Sequence, residues 1–65
     1  MTVQINGQPT DCAEESTIRS ILAERSLSPE KVAIELNRRL LKAESYDVHL
    51  HDGDEIEIVT FVGGG

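Results

Sequence analysis

The chain has 65 residues, 38% of them apolar, with one Tyr, one Phe and one Cys. That length allows a single small domain, the lone Cys12 excludes an internal disulfide, and the Cys and His residues lack zinc-site spacing. A net charge of −6 disfavours nucleic-acid phosphates and directs recognition toward basic or apolar partner surfaces.

The opening "MTVQINGQPT" has neither a basic start nor a long apolar run, so no secretory leader is predicted. No stretch reaches the length of a membrane span, and with an unpaired Cys the expected location is the cytoplasm. In the same segment Val3 and Ile5 alternate with polar residues, and Asn6-Gly7 is the dipeptide that tight primed turns prefer, because both positions need positive φ. A hairpin turning there sets Ile5 opposite Gln8 and Val3 opposite Thr10. Pro9 cannot donate to a ladder, which makes the second strand an edge. Cys12 shares parity with Val3 and Ile5 across the hairpin and is read as a small core hydrophobe rather than a nucleophile or sulfur acceptor.

Ile18, Ile21 and Leu22 then follow helical spacing, with Ser16 or Thr17 as N-cap, Glu14 and Glu15 near the positive end and Arg25 in the last turn. "SLSPE" breaks that pattern, since the residue before Pro29 is biased away from helix. Val32, Ile34 and Leu36 alternate with Ala33 and Glu35 as a third strand. "NRR" is a polar turn; Arg38 and Arg39 are read as solvated, although they offer a site for phosphate or an acidic partner. Leu40 and Leu41 suggest a stub of strand. In "AESYDVHL", Tyr46, Val48 and Leu50 share a parity, but the segment also reads as loop. His49 and His51, with Asp52 beside them, are two imidazoles at alternate positions without a third and fourth ligand at a metal spacing, so no metal is expected. "HDGD" is a turn built on Gly53; it resembles a fragment of a calcium loop without the ligand series.

"EIEIVTFV" is the last strand, and it changes phase: Ile56 and Ile58 share one parity, Val59 and Phe61 the other. Either Val59, Phe61 and Val62 are offered to a partner, or a β-bulge turns Phe61 back into the core. The order β-β-α-β-(short β)-β gives an α+β domain in which one helix covers one face of one sheet. The other face meets water or a partner. No nucleophile–base pair, phosphate loop or metal set is visible.

With these elements in place, "INGQ", "TIRSIL", "VAIELN", "DGDEIEIV" and the closing "FVGGG" identify a resemblance that spans the whole chain. It resembles the small ubiquitin-like sulfur carriers, most closely that of the thiamine pathway. The resemblance implies a ubiquitin-like β-grasp fold: one mixed sheet of four to five strands with a single helix packed on one face. It implies a domain over residues 1–62 and a flexible glycine tail over 63–65. It also implies a carrier rather than an enzyme, with no bound cofactor and ATP consumed by a partner. An ATP-dependent adenylating enzyme would activate the carboxyl of Gly65. A sulfur donor, such as a cysteine desulfurase, would supply the sulfur of a thiocarboxylate, and thiazole synthase would take that sulfur. Gly63 and Gly64 would thread a narrow channel, since glycine has no Cβ and lets another backbone approach. The folded body must then supply affinity, for which Val59, Phe61 and Val62 are placed. A monomer suits a carrier that visits several enzymes. Three other readings keep the same fold: a small subunit of molybdopterin synthase, a protein modifier, and a non-covalent interaction module with an inert tail.

Overall fold

The computed structural model describes residues 1–61. The hairpin at the start forms in the register its sequence dictates. β1 (Thr2–Ile5) and β2 (Gln8–Asp11) pair antiparallel with Val3 opposite Thr10 and Ile5 opposite Gln8. Asn6 and Gly7 both take positive φ, 51° and 82°, as a primed turn requires. The ladder extends one step further, because the Cys12 N–H donates to the Met1 carbonyl at 2.8 Å. Cys12 is partly buried against the core.

Helix α1 (Ile18–Glu24) is short and closely capped. Thr17 is the N-cap; its hydroxyl accepts from the Ser20 N–H at 3.1 Å, and the Thr17 N–H donates back to the Ser20 hydroxyl at 2.9 Å. Glu14 does not reach the helix end, because its carboxylate pairs at 3.0 Å with the Met1 ammonium. Arg25 is the C-cap, one position beyond the expected last turn. There the Ser26 N–H donates to Ala23 and the Leu27 N–H to Leu22, the reciprocal pattern that closes a helix through a left-handed residue. That residue is Ser26, at φ 59°, where glycine is usual.

A single 3₁₀ turn (Pro29–Lys31) leads into β3 (Val32–Leu36), which pairs antiparallel with β4 (Arg39–Leu41). The polar turn between them again uses two positive φ values, 52° at Asn37 and 71° at Arg38. Residues 42–54 are mostly loop. A 3₁₀ turn spans Ala43–Ser45, and Thr17 and His49 form an isolated bridge. The alternation of Tyr46, Val48 and Leu50 therefore fails at its middle member. Tyr46 and Leu50 are buried, while Val48 is exposed because the chain is still turning there. Gly53, at φ 87°, makes the last turn.

β5 (Glu55–Thr60) lies at the centre of the five-stranded sheet, whose order is β2-β1-β5-β3-β4. It runs parallel to β1 and antiparallel to β3, so the sheet is mixed. Helix α1 buries Ile18, Ile21 and Leu22 in one cluster with Val3, Ile5, Val32, Ile34, Tyr46, Leu50, Ile56 and Ile58. The edges are β2, which carries Pro9, and the three-residue β4; both features discourage further strand pairing.

If Ser26 closes the helix at a steric cost, Ser26→Gly removes that cost. The expected gain, read from denaturant unfolding, is about 0.5–1 kcal/mol.

Candidate functional site: the open sheet face and the root of the tail

The face of the sheet away from α1 is defined by the pairing registers. Glu57 stands opposite Glu35, which in turn stands opposite Leu40; Val59 stands opposite Ala33; Glu55 neighbours Gln4. All but Ala33 are exposed. Leu40 is 69% exposed, Phe61 59% and Val59 55%, the three largest values among exposed large hydrophobics of the described residues. Apolar area is thus presented on the uncovered side of a domain that has buried its core elsewhere.

The strand changes partner environment without a bulge. Each β5 residue from Ile56 to Thr60 matches one β3 residue, Thr60 with Val32 through to Ile56 with Leu36. An uninterrupted register keeps strict alternation, so Val59 and Phe61 share the open side while Ile56 and Ile58 face the helix. The Phe61 side chain is therefore outward, and the alternative in which it folds back into the core does not occur. Its main chain is fixed, since the Phe61 N–H donates to the Lys31 carbonyl at 2.9 Å. Val62, Gly63, Gly64 and Gly65 lie outside the described residues.

Charge on this face is acidic. Glu35 and Glu57 are like charges directly opposite each other, an arrangement that disfavours the sheet. Arg38 approaches Glu55 at 3.5 Å, but this pair is largely solvent-exposed and contributes little to stability. Between the two hairpin turns lies an open depression of about 280 Å³ lined by Gln4, Gly7, Arg38, Glu55, Ile56 and Glu57. Arg39 is exposed on the edge strand and has no ion pair among the described residues. Among the described residues, no group of three or more His, Cys, Asp or Glu side chains is placed to hold a metal ion. His51 is exposed and lies 4.0 Å from Asp54, and His49 is the residue bridged to Thr17.

Sequence reasoning missed the part played by two asparagines. Asn6 extends the ladder of β1 along β5. Its N–H donates to the Ile56 carbonyl at 2.8 Å, its Oδ1 accepts from the Ile58 N–H at 2.7 Å, and its Nδ2 donates to the Ile58 carbonyl at 3.2 Å. Asn37 does the same from the other hairpin. Its N–H donates to the Glu55 carbonyl at 2.7 Å, its Oδ1 accepts from the Glu55 N–H at 2.9 Å, and its Nδ2 donates to Asp54 at 3.0 Å. The available signal was an Asn at the first position of each two-residue turn, with hydrogen-bonding capacity that the turn alone does not use.

A five-stranded mixed sheet with β1 and β5 parallel at its centre, one helix on one face and an outward apolar strand end defines a ubiquitin-like β-grasp domain. A ubiquitin-like protein from Caldiarchaeum subterraneum matches it with a TM-score of 0.52 at 21% identity, covering 98% of this chain and all of that one, which supports the fold alone. The ThiS family matches residues 3–65. The sulfur carrier protein ThiS of Bacillus subtilis is 40% identical over 65 residues, covering 97% of this chain and 98% of that protein. The crystal structure of a thiamine biosynthesis protein (ThiS) from Geobacter metallireducens superposes with a TM-score of 0.80 at 33% identity, with full coverage of both chains. A thiazole synthase of Paramagnetospirillum magneticum is 38% identical over an alignment of 66 positions that covers all of this chain but 20% of that protein. The chain belongs to the ThiS family, the sulfur carriers of thiamine biosynthesis.

The like-charge pair yields a direct test. Glu35→Lys places opposite charges across β3 and β5 and is expected to stabilise the free protein by about 0.2–1 kcal/mol, measured as a raised unfolding midpoint.

Proposed function

We propose that the protein carries sulfur as a thiocarboxylate on the carboxyl of Gly65, for use in thiazole formation. The observation that carries this reading is the end of β5. Its main chain is fixed through Phe61, and Val59 and Phe61 face outward, with only Val62 between Phe61 and the glycines in sequence. An arm that enters an enzyme needs such a mount. Ordering a tail costs conformational entropy, so the body must contribute the contacts that offset it.

The chemistry requires little of the carrier itself. A carboxylate is a poor electrophile. Its oxygen attacks the α-phosphate of ATP in a partner enzyme, pyrophosphate leaves, and an acyl-adenylate forms. A persulfide sulfur then attacks the acyl carbon and AMP departs. Reduction of the resulting S–S bond by a thiol releases the thiocarboxylate. Gly63 and Gly64 place no side chain beside the attacked carbonyl. The chain is a substrate throughout, and residues 63–65 act as the arm of a domain over residues 1–62.

Val59 and Phe61, with Val62 following, form the apolar part of the contact, and the acidic residues of the open face favour a partner with a basic rim. The partners are an ATP-dependent adenylating enzyme, a persulfide donor such as a cysteine desulfurase, and thiazole synthase. Similarity to the thiazole synthase of P. magneticum supports the last of these, since that protein includes a stretch similar to this whole chain. The 40% identity with the B. subtilis sulfur carrier favours the thiamine pathway over a molybdopterin carrier. The reading places the protein in the cytoplasm as a monomer, with no bound cofactor. Among the described residues, no helix is long and apolar enough to cross a membrane.

Pyrophosphate exchange by the adenylating enzyme tests the arm and its mount separately. Deleting Gly64 and Gly65 is expected to abolish exchange while leaving the unfolding midpoint unchanged. Phe61→Ala is expected to raise the carrier concentration needed for half-maximal exchange by about tenfold or more, as for an exposed aromatic anchor, with little change at saturation. Exchange by the truncated chain at the full-length rate would contradict the reading.

A further inference from the structure

Two glycines follow a residue whose side chain ends in an amide or a carboxyl: Asn6-Gly7 and Asp52-Gly53. The main-chain nitrogen after such a residue can attack its side-chain carbonyl carbon and close a five-membered imide. Glycine is the following residue that hinders this approach least. The two sites are held differently. At the second, the Gly53 N–H donates to the Thr2 carbonyl at 2.8 Å and Asp52 Oδ1 accepts from the Thr2 N–H at 2.7 Å, so nitrogen and carboxyl are both engaged. At the first, the Gly7 N–H makes no hydrogen bond among the described residues, and Asn6 and Gly7 are both exposed. Asn37, the other asparagine in a turn, is followed by Arg38, whose side chain crowds the nitrogen.

What restrains Asn6 is β5. Asn6 Oδ1 accepts from the Ile58 N–H at 2.7 Å, and Nδ2 donates to the Ile58 carbonyl at 3.2 Å. The Asn6 N–H is tied to the Ile56 carbonyl at 2.8 Å. The side-chain carbon is free to swing onto the Gly7 nitrogen only after both bonds to Ile58 break. A free nucleophile thus stands beside an electrophile that the middle strand holds away from it.

We infer that Asn6 is a covalent modification site, deamidated through Gly7 at a rate set by how often its side chain leaves Ile58. The Gly7 nitrogen bonds to the Asn6 side-chain carbon and gives up its proton, the carbon–Nδ2 bond breaks, and ammonia leaves. Water then opens the imide at one of its two carbonyls. One product is aspartate. The other is isoaspartate, in which the main chain runs through the former side chain and is longer by one carbon. No oxidant, reductant or cofactor takes part. Neither product restores the contact with β5. In the aspartate form the donor Nδ2 is replaced by an acceptor that faces the Ile58 carbonyl with no hydrogen between them. In the isoaspartate form the added carbon shifts the turn out of the register that carries it to β5. Modification therefore loosens β5 at Ile58, beside the outward residues Val59 and Phe61.

The test incubates the full-length chain at mildly alkaline pH, folded and in denaturing guanidinium chloride. Peptide mapping then separates asparagine, aspartate and isoaspartate at each site. In the folded chain Asn6 is expected to convert first, ahead of Asn37 and Asp52. Its conversion is expected to be slower than in denaturant by about tenfold or more, because the folded chain must first open locally. Asn6→Asp reproduces one product; it is expected to lower the unfolding midpoint and to speed exchange of the Ile58 amide by about tenfold or more. Absence of conversion at Asn6 in denaturant, or earlier conversion of Asn37 or Asp52 in the folded chain, overturns the site. Equal rates at Asn6 in the two solvents overturn its control by β5. An Asn6→Asp chain with the unaltered midpoint and Ile58 exchange overturns the effect on the strand. None of these outcomes touches the carrier reading, which concerns Gly65.

Discussion

The fold depends on how β5 is paired. It sits between a parallel neighbour and an antiparallel one, so neither of its flanks is an edge over Glu55–Ile58. Its inward residues, Ile56 and Ile58, complete the core beneath α1. Its outward residues are acidic and then apolar, and none of them is required by the core. One strand therefore both completes the core and presents exposed side chains on the open face, and the alternation of side chains keeps those two roles apart.

The hairpins serve that strand. Each turn places an asparagine in the left-handed region, and each asparagine uses its side-chain amide on β5. The two anchor points are at Glu55 and Ile58, near the beginning and the middle of the strand. A small domain without disulfides gains from such bonds, because they link segments far apart in sequence at sites where the regular ladder has stopped. The chain then passes Phe61, whose amide is held and whose ring is not. Fixed backbone beneath an exposed aromatic is what the proposed partner contact requires.

Much of this was legible in the sequence where the signal is local. Asn6-Gly7 set the first turn and its register, Ile18, Ile21 and Leu22 set the helix face, and the alternation through Val32–Leu36 set a strand. The phase change in β5 was also visible, but two packings could explain it. The choice depended on whether β5 and β3 stay in register through Thr60, which is a tertiary fact. The second role of Asn6 was hidden for the same reason, since it acts on Ile58, 52 positions away. Residues 43–50 were ambiguous because their order comes from packing and isolated hydrogen bonds: Tyr46 and Leu50 are buried from a loop, not from a strand.

The central claim concerns a single atom at Gly65, and intact-mass measurement of the protein purified under reducing conditions from its own cells addresses it most directly. The account predicts a species heavier by the exchange of one oxygen for sulfur, with fragmentation assigning the change to Gly65. If only the plain carboxylate is found, even after incubation with ATP, the adenylating enzyme and a sulfur donor, the glycines are not a sulfur-carrying arm and the account is wrong.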